Sequence, residues 1–181
     1  MPDNTTLINQ TQKWVTDVVI EHALCPFAKR EYDSNRIHYE VIETADLQTQ
    51  LEQIIAQCAA IDEDINRETS LLIFPFGLSD FEDYLDILDI STALLKTQGY
   101  EGVYQLASFH PNYCFADTPF DDPSNYTNRS PYPMLHILRE ASVEIALQNY
   151  PNPEKIPVRN IRFTKSLGLE AMRALLADCY K

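Results

Sequence analysis

Apolar residues recur at helical spacing from near the start of the chain. Leu7, Trp14 and Val18, with Ile8, Val15, Val19 and His22 beside them, define a helix over 5–24 that Pro26 stops. Over 36–42 the pattern changes to partial alternation rich in Ile, Tyr and Val, which predicts a strand. Thr44 or Asp46 then caps a second helix, whose apolar face is Leu47, Leu51, Ile54, Ile55, Cys58 and Ile61, so Cys58 belongs to the core. The short run 70–74, backed by Pro75 and Gly77, fits a buried strand. Ser79 and Glu82 stand at capping-box spacing before a third helix that buries Phe81, Tyr84, Leu85, Leu88 and Leu95 and that Gly99 closes. Residues 102–109 supply a third strand.

Strand, helix, strand, helix, strand predicts an α/β protein. The expected form is a single domain over 1–181, with right-handed crossovers and a small, mostly parallel sheet of at least three strands. Met134, Leu135, Leu138, Ala141, Ile145 and Ala146 repeat at helical spacing and mark a fourth helix. Beyond Pro151, Pro153 and Pro157, residues 161–180 read as a last helix capped by Asn160, which makes about five in all. The third strand and fourth helix are separated by roughly two dozen residues, where about 4–6 is usual. Tyr113, Phe115, Phe120, Tyr126 and Tyr132 give this loop an aromatic content that disordered segments lack, so it reads as functional. It leaves a strand at its carboxyl end, where ligands of open α/β sheets bind.

Composition narrows the classes. The hydrophobic share of 45% and charged share of 23% over 181 residues are those of a globular domain, and the four glycines leave little room for a phosphate-cradling loop. No P-loop, GxGxxG, GxSxG or HExxH occurs, so no cofactor is expected. Residues 1–10 carry no Lys or Arg and no continuous apolar run, and no membrane-length apolar run occurs, so no leader is expected and the expected location is cytoplasmic, away from membranes. A formal net charge of -13 disfavours nucleic acid polymers as partners. The charge is uneven: nine acidic residues face one basic, Arg67, between Asp62 and Asp89, whereas seven basic residues face four Glu between Arg129 and Arg173. The halves are either two solvated faces or, in the basic third, a surface for a small anionic ligand. Cys25, Cys58, Cys114 and Cys179 contain no CxxC pair and read as reduced thiols.

Candidate chemistry gathers at the loop and the helix expected after it. His110, held extended before Pro111, is a general base or else an imidazole bonded to backbone. On a helix, His136 would share a face with Arg139 and Glu140, so Glu140 could orient the imidazole; the alternative is an ordinary surface pair. Arg129 and Arg139 are planar guanidinium groups suited to carboxylate or phosphate, or else partners for this chain's many acids. Tyr126, Asn128 and Ser130 add binding groups, with Ser130 as a helix cap. Pro131 and Pro133 remove backbone N–H groups there, so any anion would depend on side chains. Cys25 is a possible thiol nucleophile or a packing residue at a helix end. A metal site built from Cys114, His110 and His136 lacks a compact signature, and no metal is expected.

LCPFAKR at 24–30, TSLLIFP at 69–75, DFEDYLDILD at 80–89, GVYQLASFHPNYCFA at 102–116 and NYTNRSPYPMLHILRE at 125–140 together give the chain a family likeness. It resembles the bacterial and plastid proteins grouped as domain of unknown function 1415, over nearly its whole length. The resemblance implies a single-domain protein. It matches Cys25, His110, Asn128, Arg129, Ser130, His136, Arg139 and Glu140 to the family's polar signature without giving any of them a role. At Cys114 the chain departs from a residue common in the family. The functional expectation is a small enzyme that acts on a carboxylate or phosphate by histidine acid–base chemistry at the 107–140 loop. Its alternatives are a non-catalytic binding module for an anionic metabolite, or an interaction domain.

Overall fold

The computed structural model describes residues 2–181. Among them are four strands and seven α-helices in three layers, helices on both faces of one sheet. Asp3 accepts from the Thr6 N–H and starts α1 (Asn4–Trp14), which widens into a π-helical turn over Val15–Ile20. After α2 (Ala28–Asp33) come β1 (Ile37–Val41), α3 (Leu47–Glu63), β2 (Thr69–Ile73), α4 (Phe81–Thr97) and β3 (Tyr104–Phe109). Two caps are resolved by geometry. Asp46 receives the Thr49 N–H, and Asp80, rather than Ser79, receives those of Glu82 and Asp83.

The principal correction lies after the long loop. Met134–Arg139, expected to begin a helix, is a strand, β4, and the helix α5 occupies only Glu140–Gln148. The sheet order is β1-β2-β4-β3. Only β1 and β2 run parallel, and β4 is antiparallel to both of its neighbours, so the sheet is mixed rather than mostly parallel. The reason is burial on both sides. Leu135 and Ile137 enter the core formed with Ile54, Cys58 and Ile61 of α3 and Tyr84, Ile87 and Leu95 of α4, while Met134 enters the opposite core with Leu7, Trp14, Val15 and Val18. A central strand apolar on both faces has no period of two left to read.

The last helix is also two. α6 (Ile156–Leu167) begins earlier than expected, so Asn160 lies inside it rather than at its cap, and α7 (Leu169–Asp178) follows Gly168, whose φ of +84° breaks the run. The long loop therefore joins β3 to its neighbour β4, and includes a 3-10 turn at Pro123–Thr127. Among the described residues no helix is long and apolar enough to cross a membrane.

Tyr84 ties the junction together. Its buried hydroxyl donates to the Met134 carbonyl (2.8 Å) and accepts the Phe109 N–H (3.0 Å), so α4 grips the points where β3 ends and β4 begins.

Candidate functional site

The 110–133 loop is ordered by its own polar side chains. Asn125, fully buried, donates to the carbonyls of Pro119 (2.9 Å) and Phe120 (3.1 Å) and accepts the Phe115 N–H (3.0 Å). Asp122 accepts from the Ser124 backbone and hydroxyl and meets Lys165 of α6 at 3.0 Å. The Ser124 bonds, reinforced by Lys165, hold its carboxyl down to about 2. Asp121 meets Arg173 of α7 at 3.0 Å.

Arg129 is the post around which the loop folds. With only 4% of its surface exposed, it donates from Nε to the Tyr113 carbonyl (3.1 Å) and from Nη2 to that of Phe120 (2.7 Å). Its guanidinium lies between the rings of Phe120 (4.5 Å) and Tyr126 (4.6 Å), and the Trp14 indole donates to its backbone carbonyl. Ser130, buried, donates to the Tyr132 carbonyl, and no helix follows for it to cap. Arg139 donates to the Ile61 carbonyl at the end of α3 and lies over the Tyr104 ring (5.6 Å). Arg129 precedes β4 and Arg139 ends it, and the strand's six residues alone span roughly 16 Å.

The histidines lie on opposite sides of the sheet. His110, fully buried beside Phe81 and Tyr84, bonds from Nε2 to the Leu78 carbonyl (2.9 Å) and accepts the Asn112 N–H at Nδ1 (3.0 Å). These bonds fix the neutral tautomer, and burial lowers its pKa. His136 faces the other way. Its Nε2 meets the Thr69 hydroxyl (2.5 Å), which in turn donates to the Ile137 carbonyl, and burial pushes its pKa down to about 4. Glu140 opens α5 instead of standing one turn from His136, and among the described residues no bond joins them. Among the described residues, the side chains of these two histidines, Arg129 and Arg139 share no hydrogen-bonding atom.

Cys25 and Asn128 do come together. They line a cleft of about 510 Å³ between the loop, Phe109 of β3, the end of the π-helical turn and α6. Val19, Leu24, Phe109, Phe115, Ile156, Pro157 and Ile161 make it predominantly apolar. Thr118, Ser124, Thr127, Asn128 and Asn160 supply polar edges, and no charged side chain lines it. Asn128 is set by donating to the Ser108 carbonyl (3.1 Å). Cys25 follows Ala23, whose φ of +51° turns the chain. Asn160 then fixes the segment by donating to the Leu24 carbonyl (2.6 Å). The thiol is free and the residue exposed as a whole. Burial of the sulfur against the cleft wall raises its pKa, which N–H groups of Phe27 and Ala28 partly offset, so it stays protonated at neutral pH.

Sequence reasoning marked Phe115 only as part of an aromatic loop and Asn160 only as a helix cap, and did not find Thr118 or the α6 wall. The signal for Asn160 was a buried Asn in mid-helix, but it was visible only once the helix start was known. Among the described residues no cluster of metal-binding side chains occurs, and Cys114 bonds within its own loop to the Thr118 carbonyl.

The fold and cleft define an α/β protein with an uncharged, thiol-edged cleft walled by one long loop. The family model described as a protein of unknown function, DUF1415, matches residues 6–174, and the chain belongs to that family. Neither the curated proteins nor the solved structures give a match.

Proposed function

We propose that the chain binds a small, largely apolar molecule in the cleft between the 110–133 loop and α6. The observation that carries this reading is the cleft itself. Its volume of about 510 Å³ lies within the usual range for small-molecule sites, its walls are mostly apolar, and its few polar groups sit at the edge to orient a ligand. Acid–base turnover by His110 draws no support from its geometry, because both ring nitrogens are engaged with backbone. Thiol chemistry would need a base to deprotonate Cys25, whose pKa is raised.

Trp14 is the only tryptophan, and its ring meets that of Phe109, a cleft wall, at 5.0 Å. Titration with octan-1-ol should therefore change the Trp14 emission saturably. Ile161→Glu, which places a charge at an exposed cleft position, should abolish the change while the protein stays folded. An unaltered titration in that variant would place any binding elsewhere.

A further inference from the structure

Beside the cleft lies a second recess of about 490 Å³, lined by Tyr150, Asn152, Lys155, Ile156, Arg159 and Arg162 among others. Ile156 lines both cavities, and Phe27, two residues from Cys25, packs edge-on against Tyr150 at 5.5 Å. The cleft carries no charge, whereas the recess carries three cations and no carboxylate.

In a chain with 27 acidic residues this is unusual company. Lys13, Lys29, Arg36, Lys96, Lys165, Arg173 and Lys181 all reach a carboxylate within 4.0 Å. Among the described residues, Lys155, Arg159 and Arg162 reach none; nor do Arg67, Arg129 and Arg139, but those three guanidinium groups are engaged by the Gln57 amide oxygen and by the Tyr113, Phe120 and Ile61 carbonyls and line no common recess. Lys155 has only the Asn152 amide oxygen (3.2 Å), and Arg159 donates to the Ala23 and His22 carbonyls and to Asn160 Oδ1, all neutral acceptors. Among the described residues Arg162 makes no side-chain hydrogen bond. Three like charges converge on one concavity without compensation, so a bound anion would relieve their repulsion and accept from Lys155 and the guanidinium fork of Arg162.

We infer that the ligand of the cleft is an amphipathic anion, its apolar body in the cleft and its carboxylate or phosphate head in the Lys155–Arg159–Arg162 recess. This inference rests on the cleft being a binding site. Arg159 serves a double purpose: its bonds to the 22–23 carbonyls hold the turn that carries Cys25, and its positive charge faces the recess.

The test compares octanoate, octyl phosphate and octan-1-ol, below micellar concentration, against the wild type, Ile161→Glu and the double variant Lys155→Gln/Arg162→Gln. Both residues are exposed, and an unchanged melting temperature checks the fold. Both anions should bind the wild type about tenfold more tightly than the alcohol, with the advantage shrinking as salt rises. In the double variant, with Arg159 alone left in the recess, the anion advantage should fall several-fold. The tighter of the two anions identifies the head group. Equal binding of all three to the wild type overturns the anionic head and leaves the cleft standing, as does an anion advantage that the double substitution leaves undiminished. If none of the three binds, or Ile161→Glu binds them unchanged, the cleft reading fails and this inference with it.

Discussion

Arg129 separates a structural post from a ligand-binding arginine, and Arg129→Met is the informative change because it keeps the stem between the Phe120 and Tyr126 rings while deleting the guanidinium. Two charge-assisted bonds are lost, to the Tyr113 and Phe120 carbonyls, each worth about 1.5–3 kcal/mol. The contact with the two rings adds about 1–2 kcal/mol. Against this, a buried guanidinium with no carboxylate partner carries a desolvation cost of several kcal/mol that the substitution removes. The Phe120 carbonyl keeps its bond from Asn125, so only the Tyr113 acceptor is orphaned. The net loss is on the order of 2–4 kcal/mol, or roughly 5–15 °C in Tm for a domain of this size. Urea and thermal unfolding measure it. Limited proteolysis should also show cleavage between Tyr113 and Tyr126 in the variant and none there in the wild type. A variant as stable as the wild type, with an uncut loop, would refute the structural assignment and return Arg129 to the ligand-binding candidates.

The remaining predictions concern the scaffold, the histidines and the thiol. Tyr84→Phe should cost about 1–3 kcal/mol in chemical unfolding, because the Met134 carbonyl and Phe109 N–H lose the hydroxyl they share. Gly77→Ala should destabilise by more than 1 kcal/mol, because φ is +80° and a Cβ there would stand 2.9 Å from that of Ala45; an unchanged urea midpoint would contradict this. His136 is neutral in the fold, with its pKa lowered from about 6.5 to about 4. It therefore stabilises above the unfolded value and loses that contribution as pH falls through this window. Between pH 7 and 5 the wild type should lose about 2 kcal/mol more than His136→Gln, as read from urea midpoints at both pH values. Iodoacetamide should modify Cys25 before the buried Cys58 and Cys179, slowly near neutrality and faster above pH 9, and octanoate should protect it.

How much could be read in advance depended on how many faces each element buries. The strands near 36–42, 70–74 and 102–109 and the helices between them each had one clean period or firm punctuation, and they stand within a residue or two of where the pattern put them. β4 did not. Met134, Leu135 and Ile137 are divided between two cores, and the Ala141 and Ile145 that seemed to extend a helical repeat belong to α5, which begins at Glu140. With the helix went the proximity of His136 to Glu140. The basic third of the chain was visible as a charge imbalance, but which arginines remain free to meet a ligand was not. That depends on where carbonyls lie in space, and Arg129 and Arg139 are engaged by the carbonyls of Tyr113, Phe120 and Ile61. Asn125 and Asp122 perform the loop ordering that the aromatic content only hinted at. Cys25 and Asn128, picked out for different reasons, are the two expected site residues that share one cleft.

The central claim is that this cleft, and not another surface, takes a ligand. Amide and methyl NMR spectra recorded during an octanoate titration test it most directly. Shifts concentrated at Val19, Cys25, Phe115, Asn128 and Ile161 are the predicted result. Shifts centred instead on the apolar groove of Leu51, Ile55 and Leu94 between α3 and α4, or a spectrum that does not move, would contradict it.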